Sequence, residues 1–198
     1  MSKNIEIEYK LLLSYEQYLK INQQYHNITS YEQINYYFDT YDHVLKNKRY
    51  MLRVRVKANQ YEFTLKKQNH SKIGIDEYNE IINHRIFLDL INHRRVKSEI
   101  LDLLENEGIS IKNLHQQYHL KTIRKDIPYH NGIISLDLNE YLDQTDYEIE
   151  YEVNDSKQAI EFFNEFLKPY GLVYEYNCAG KRHRLYNALE HHHIPNLK

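Results

Sequence analysis

The residues of this sequence best suited to chemistry are glutamates that recur at every second position. Glu6 and Glu8 lie in NIEIEYK, and EIEYEV carries Glu148, Glu150 and Glu152. In an extended chain, residues spaced in this way share one face. Same-face carboxylates roughly 7 Å apart on an enclosed surface repel each other by roughly 2.4 kcal/mol at an effective dielectric constant near ~20. A divalent cation among them would remove this repulsion, so the acidic stretches predict a metal site.

Basic residues alternate in the same way on other stretches. Arg53 and Arg55 share a face of MLRVRVK, Lys66 lies in YEFTLKK, and Arg124 lies in LKTIRK. The guanidinium fork matches phosphate oxygens, while lysine supplies a compact charge. The basic stretches therefore predict a site for an anion of several charges. A polyphosphate bound together with Mg²⁺ or Mn²⁺ would use both sets, because these ions favour carboxylate and phosphate oxygens.

Alternation of this kind indicates β-strands, and the chemistry requires a sheet that holds them together. We predict strands at residues 4–12, 33–40, 50–57, 60–67, 75–82, 117–125, 132–139 and 146–153, with a weaker ninth at 172–176. Such a hairpin-like succession is typical of an antiparallel sheet or barrel of the α+β class. If the sheet closes, acidic and basic strands face each other across a lumen.

Three helices interrupt the predicted strands. Ser14 and Gln17 form a candidate capping box for a helix that runs to about Tyr25, and Ser98 could cap EILDLLENE. Asp155 or Ser156 precedes the third helix, KQAIEFFNEFL. The stretch NHRIFLDLINHRRVK is ambiguous, and we expect it to be partly helical.

Composition limits the classes of protein that fit. The 198 residues are 41% hydrophobic and 27% charged, which predicts a globular domain over residues 1–190 followed by a polar tail at 191–198. There is no apolar run of membrane-spanning length and no signal-peptide core, so we expect no membrane partner. The single cysteine, Cys178, cannot form an internal disulfide, which favours a cytoplasmic location. A formal net charge of −2 argues against general nucleic-acid binding.

IEIEYK resembles the glutamate-x-glutamate-x-lysine signature that opens the CYTH superfamily, also called triphosphate tunnel metalloenzymes. The resemblance continues in chain order through YYFDT at 36–40, LRVR at 52–55, TLKK at 64–67, DEY at 76–78, Arg124, LDL at 136–138, EIEYEV at 148–153, Lys181 and Arg184. It covers residues 3–189 and is closest to the small, single-domain bacterial branch. It implies an eight-stranded antiparallel β-barrel, or tunnel, with a charged lumen and with helices packed outside.

The resemblance also implies roles for individual residues. Glu6, Glu8, Glu150 and Glu152 would be catalytic residues and metal ligands, and Asp137 and Glu77 would be further metal ligands. The phosphates would be bound by Lys10, Arg53, Arg55, Lys66, Arg124, Lys181 and Arg184. Asn79 departs from members that carry a second acid at this position. We expect Glu148 and Lys57, as extra charges at the ends of the lumen, to face water.

The activity implied is that of a metal-dependent phosphohydrolase. It would cleave the terminal phosphate of inorganic triphosphate, thiamine triphosphate or a nucleoside triphosphate, with Mg²⁺ or Mn²⁺ as the cofactor. Two alternatives stay open at this point. The same residues could cyclise ATP, as class IV-type adenylate cyclases do, or they could form a non-catalytic module that binds a nucleotide or polyphosphate. The partner predicted in every case is a small-molecule triphosphate or nucleotide.

Overall fold

The computed structural model describes residues 1–68 and 75–191, and for 190 and 191 only the backbone. Eight strands form a closed antiparallel barrel in the order β1-β5-β4-β3-β2-β6-β7-β8. The strands are β1 Ser2–Leu13, β2 Tyr31–Thr40, β3 Tyr50–Lys57, β4 Gln60–Gln68, β5 Ile75–Ile82, β6 Leu114–Tyr129, β7 Gly132–Tyr141 and β8 Gln144–Val153. The predicted fold class, an eight-stranded antiparallel barrel with helices around it, is confirmed.

The predicted ninth strand at 172–176 is wrong, because these residues form no strand. A side chain takes up part of their backbone hydrogen bonding: the Tyr174 N–H donates to Asn164 Oδ1 at 2.7 Å. Tyr174 packs against the rings of Tyr9 and Phe163, whereas Val173 and Tyr176 are exposed, so the stretch LVYEY does not bury one face as a strand would.

Six α-helices lie among the described residues. They are α1 Tyr15–Gln24, α2 Val44–Asn47, α3 His84–Ile91, α4 Glu99–Asn106, α5 Ala159–Leu167 and α6 Lys181–His191. The capping box of Ser14 and Gln17 is formed, and Ser98 accepts a hydrogen bond from Leu101 N, so both predicted N-caps are confirmed. The sequence did not predict α2 or α6. None of the described helices is long and apolar enough to cross a bilayer.

Helix α5 begins later than predicted. The Asp155 side chain accepts a hydrogen bond from Lys157 N at 3.0 Å, which closes a turn two residues on and does not cap a helix. Gln158 then lies in the left-handed region, with φ 61°, and the helix starts at Ala159. The predicted start at Lys157, directly after Asp155 and Ser156, is therefore wrong by two residues.

Two-residue turns fix the register of three hairpins. The closing pairs are Lys57↔Gln60, Tyr129↔Gly132 and Tyr141↔Gln144. A shift by one residue would exchange the two faces of a strand, so these turns decide which side chains share a face.

The chain divides into two compact units, which we describe separately. The first consists of Met1–Ile7 and Glu32–His119, and the second of Glu8–Tyr31 and Leu120–Lys198. The prediction of one domain over residues 1–190 stays a prediction. Of the predicted tail at 191–198, residues 192–198 lie outside the part of the chain that the structure describes.

In the first unit, strands β2, β3 and β4 pack their apolar face against α3 and α4. Leu52, Val54 and Phe63 belong to one buried cluster that also contains Phe87 of α3 and Leu104 of α4. The charged residues of these strands alternate with the apolar ones, so they lie on the opposite face. Helix packing therefore determines which face carries Arg53 and Arg55.

The second unit is built on the same alternation. Tyr151 of β8 is fully buried and stacks on Phe163 of α5 with ring centroids 5.8 Å apart. Lys125 of β6 caps the C-terminal end of α1, because its ammonium donates to the carbonyl oxygens of Asn22 at 3.2 Å and of Tyr25 at 2.9 Å. These contacts hold α1 and α5 on one face of the strands and leave the other face to the charged residues.

Candidate active site

A cluster of buried ionic side chains lies in the second unit, and we call it the β8 cluster. It consists of Arg124 of β6, Asp137 of β7, Glu148 and Glu150 of β8, and Lys181 of α6. The β7–β8 register places Asp137 opposite Glu148. Asp137 and Glu148 are fully buried. Strand alternation therefore brings the three carboxylates to one face, and α6 supplies a cation to them.

Lys181 is the first residue of α6, and its ammonium contacts all three carboxylates. The Nζ atom lies 2.7 Å from Glu150 Oε1, 2.9 Å from Asp137 Oδ2 and 3.2 Å from Glu148 Oε1. Burial disfavours the ammonium, but Asp137, Glu148 and Glu150 outweigh this effect and raise the pKa of Lys181. Lys181 therefore stays charged throughout the physiological pH range.

Arg124 supplies the second cation of the β8 cluster. Its Nε and Nη2 atoms donate to Asp137 Oδ1 and Oδ2 at 2.7 and 2.6 Å, and Nη2 also donates to Glu150. This two-point geometry fixes the orientation of the guanidinium plane. The pKa of Arg124 is raised because Asp137 and Glu150 outweigh the effect of its burial.

The pKa values of the two glutamates of the cluster are shifted from the ordinary value in opposite directions. Burial, reinforced by Glu150, raises the pKa of Glu148 to about 7 against the opposing effect of Lys181. Burial would also raise the pKa of Glu150, but the charges of Lys181 and Arg124 outweigh burial and hold this pKa well below its ordinary value. One carboxylate of the pair is thus strongly stabilised in its ionised form, whereas the other is close to neutralisation.

Glu8 and Lys10 of β1 form an ion pair with each other in the same unit. Burial alone would lower the pKa of Lys10, but Glu8, Glu150 and Glu148 outweigh burial and raise it. The field of the two β8 glutamates thus reaches Lys10. The structure brings the predicted residues Glu8, Lys10, Arg124, Asp137, Glu150 and Lys181 into one electrostatically connected group.

Arg184 lies one helical turn after Lys181 and pairs with carboxylates of β8. Its Nε atom donates to Asp146 Oδ2 at 2.7 Å, Nη2 donates to Asp146 Oδ1 at 3.2 Å, and Nη2 also donates to Glu148. Burial disfavours the guanidinium, but Glu148 and Asp146 raise its pKa. The same contacts hold the pKa of Asp146 below its ordinary value, although burial acts in the opposite direction.

The first unit holds a second, smaller group that joins β1, β4 and β5. Lys66 pairs with Glu6 and lies 2.9 Å from Glu77 Oε2. Asn79 donates to Glu77 at 2.6 Å and accepts from Thr64 at 2.8 Å, so it orients the carboxylate. Burial alone would raise the pKa of Glu77, but the charges of Lys66 and Arg53 lower it to about 2.

The two arginines of β3 differ in their surroundings. Arg53 is buried, and its Nε atom has no hydrogen-bond partner among the residues that the structure describes. Arg55 is half-buried, donates to Asn35 Oδ1 at 3.3 Å, and lies 3.8 Å from Glu62. A buried donor without a partner fits an anion-binding role for Arg53.

Glu148 and Glu152 differ in burial. The expectation that Glu148 faces water is wrong, since its side chain is fully buried and pairs with Lys181 and Arg184. Glu152, predicted as a catalytic residue and metal ligand, is exposed and lies opposite Ile133, near the end of β8. Sequence reasoning also missed Asp146 and Asn177. The hairpin register was the signal that could have selected Glu148.

The donor set of the β8 cluster consists of carboxylate oxygens, the ligands that Mg²⁺ and Mn²⁺ prefer, so its chemistry fits these ions. In the structure these oxygens face Lys181 and the arginines. Within residues 1–68 and 75–191, no three His, Cys, Asp or Glu side chains are arranged to hold a metal ion.

Comparison with known proteins identifies the family. The CYTH domain matches residues 4–176. The chain belongs to the CYTH domain family. The curated protein "Putative triphosphatase YjbK" of Bacillus subtilis (strain 168) is 30% identical over an aligned length of 181, and the match covers 87% of this chain and 90% of YjbK.

Two solved structures extend this similarity. A protein from Bacillus halodurans, described as a "putative adenylate cyclase", is 32% identical with a TM-score of 0.86, over 94% of this chain and 100% of its own. HpAC1 from Hippeastrum is 25% identical with a TM-score of 0.80, over 93% of this chain and 96% of its own. Its description reads "Putative adenylyl cyclase HpAC1 from Hippeastrum reveals a dominant triphophatase activity".

Proposed function

We propose that the protein is a triphosphatase that hydrolyses the terminal phosphate of inorganic triphosphate or a related triphosphate, with Mg²⁺ or Mn²⁺ as its cofactor. The observation that carries the proposal is the β8 cluster, where buried anion-binding and cation-binding groups neutralise each other. A divalent cation complexed with triphosphate carries both kinds of charge. The carboxylates of the cluster would hold the cation, and Lys181 and Arg124 would contact the phosphates.

Within this proposal, Asp137, Glu148 and Glu150 would hold the divalent cation. When bound, the ion supplies Lewis-acid polarisation of a phosphoryl oxygen and a more acidic bound water. Lys181 and Arg124 neutralise the charge on the phosphoryl oxygens, and Lys10 adds a third cation in the same unit. Glu6, Glu8, Glu77 and Glu152 as metal ligands, and Arg53, Arg55, Lys66 and Arg184 as phosphate contacts, stay predictions.

Two of the three relatives reported above support hydrolysis, whereas the Bacillus halodurans protein is described as a putative adenylate cyclase. YjbK is named as a triphosphatase, and the description of HpAC1 gives triphosphatase activity as dominant in a protein named as a cyclase. A module that only bound an anion would need Lys181 and Arg124 but would gain nothing from three buried carboxylates beside them. The β8 cluster therefore supports a metal-dependent enzyme over a passive binding site.

The test is incubation of the purified protein with inorganic triphosphate, thiamine triphosphate and ATP, each with Mg²⁺ or Mn²⁺, followed by product identification. We expect phosphate and pyrophosphate from triphosphate, and no product when the ion is chelated. Cyclic AMP as the main product from ATP would replace the proposal with a cyclase. Binding without turnover of any of the three would replace it with a binding module.

A pair of variants links the activity to the site. Glu150→Gln should abolish turnover, because it removes a charge from the group that contacts both Lys181 and Arg124. Glu165→Gln is the matched control, since Glu165 is an exposed residue of α5 that pairs only with His130 among the described contacts. Full activity in Glu150→Gln would contradict the site.

A further inference from the structure

Arg184 uses its donors on the protein itself. It makes four hydrogen bonds: one from Nε and one from Nη2 to Asp146, one to Glu148, and one from Nη1 to the carbonyl oxygen of Ala179. A guanidinium has five N–H donors, so little capacity is left for a substrate. Its side chain is only 9% exposed. Among the described residues, Lys181 and Arg124 pair only with the carboxylates that the proposal assigns to the metal ion. Arg184 also donates to Asp146 and to the Ala179 carbonyl, which would still hold it when the ion binds.

We infer that Arg184 is a positioning residue that fixes Lys181 in the β8 cluster, and that it does not bind phosphate. The inference rests on the proposed function, in which Lys181 is a phosphate-binding cation. Arg184 links β8, through Asp146 and Glu148, to Ala179, which lies two residues before Lys181. It therefore holds the start of α6 against the strand that carries the carboxylates.

Asp146 is a suitable anchor because it is itself held by its neighbours. Tyr141 Oη donates to Asp146 Oδ2 at 2.7 Å, and Asn139 Nδ2 donates to Oδ1 at 2.9 Å. Asn139 in turn accepts from Thr122 at 2.8 Å. Thr122 and Asn139 are fully buried. The carboxylate thus has a fixed position from which it can orient Arg184.

A second anchor is formed by Asn177 and Cys178, which precede Lys181 in the chain. Asn177 Oδ1 accepts from Lys10 N at 2.8 Å, Asn177 Nδ2 donates to Glu8 O at 3.1 Å, and Cys178 N donates to Lys10 O at 3.2 Å. The segment before α6 is thereby tied to the backbone of β1. Residues 172–180 form no helix or strand, so these two anchors determine where α6 begins.

The decisive variant is Asp146→Asn, because the two roles of Arg184 predict opposite results. If Arg184 positions Lys181, loss of the anchor should raise the KM for triphosphate about tenfold, as Arg184→Ala should. If Arg184 binds phosphate, Asp146→Asn frees the guanidinium, and KM should stay constant or fall. The second result would overturn the inference.

A double-mutant cycle tests whether Arg184 acts through Lys181. In a Lys181→Met background, Arg184→Ala should change KM by less than about twofold, because the group that it positions is gone. If Arg184 and Lys181 each bound phosphate independently, the factors by which the two substitutions raise KM would multiply. Asp39→Asn is the control for stability alone: Asp39 is buried, accepts from Leu45 N and Lys46 N at 2.9 Å, and belongs to the first unit. It should lower Tm and leave KM unchanged.

Calorimetric titration with inorganic triphosphate separates this inference from the proposed function. If the wild type binds triphosphate but does not turn it over, the proposed function fails, and the dissociation constant replaces KM in the same comparison. Weaker binding by Asp146→Asn would then still support the positioning role of Arg184. A wild type that neither binds nor hydrolyses triphosphate would overturn both.

Discussion

Replacement of Lys181 by methionine should destabilise the protein and should make it more responsive to divalent cations. The side chain keeps its length and apolar stem but loses the ammonium that lies 2.7–3.2 Å from three carboxylate oxygens. Asp137, Glu148 and Glu150 would then have Arg124, Arg184 and Lys10 as their counter-charges. The perturbation is therefore electrostatic, with little change in packing volume.

The magnitude follows from the three contacts and from what opposes them. At an effective dielectric constant near ~20, each pair of charges ~3 Å apart attracts by roughly 5 kcal/mol, and desolvation of the ions offsets most of the sum. Removal of one partner from a buried ion pair typically costs about 3–5 kcal/mol. Because Arg124 and Arg184 still pair with the same carboxylates, we expect about 3 kcal/mol.

Urea unfolding at neutral pH, with and without millimolar Mn²⁺, measures this effect. With a slope of about 2 kcal/mol per molar, the midpoint should fall by about 1.5 M without the ion. Mn²⁺ should stabilise the variant more than the wild type, since an ion that binds only the folded state adds stability by mass action. Lys168→Met, at an exposed lysine, is the control and should change stability by less than about 0.5 kcal/mol. A Lys181→Met midpoint equal to that of the wild type, or an equal Mn²⁺ response, would refute the charge-balance reasoning.

Three further predictions test other parts of the structure. Arg124→Lys should raise the KM for triphosphate about tenfold, because lysine cannot reproduce the two-point contact with Asp137, and an unchanged KM would argue against this role. Gly132→Ala should lower stability by about 1–3 kcal/mol, since the new Cβ would overlap a backbone carbonyl of β8. Gly180→Ala is the control and should be tolerated, because its Cβ would enter open space. Equal melting temperatures of the two variants would contradict the predicted overlap. Glu107→Gln should lower stability by about 0.5 kcal/mol at neutral pH, because Lys67 and Tyr50 outweigh burial and hold its pKa below the ordinary value near 4.5. That difference should be complete above pH about 4.5 and vanish as the pH falls through the folded-state value; a gap that persists in acid would exclude this cause.

The strands could be predicted because alternation is a local signal that survives folding. Ser14 and Ser98 cap α1 and α4 and mark where they begin, whereas α5 was predictable although no side chain caps it, and its predicted start is misplaced. Helix α6 has a glycine before its first residue and a polar sequence, KRHRLYNALEH, so neither a cap nor an apolar stripe marks it. It packs through the buried side chains of Leu185, Tyr186 and Ala188, and Lys181 and Arg184 pair with carboxylates that are distant in sequence. No local pattern contains those distant partners.

The residues of the site were predictable as a type but not always by position. Three alternating glutamates, 148, 150 and 152, present the same chemistry, and the β7–β8 hairpin decides which two are buried. Its turn uses Leu142 at φ 52°, a residue that does not normally signal a left-handed turn position. With the register hidden, the sequence could not distinguish Glu148 from Glu152.

Asn79 limits the negative charge of the group around Lys66. In the first unit, Glu6 and Glu77 pair with Lys66, and the charge of Arg53 further lowers the pKa of Glu77. The amide of Asn79 orients Glu77 without adding charge, whereas an acid there would require another cation. In the β8 cluster, by contrast, a buried glutamate has its pKa raised to about 7 even with Lys181 beside it. A carboxylate whose ionised form is disfavoured by burial and by a second carboxylate gains most from an added cation, so we expect a metal ion to bind first in the β8 cluster.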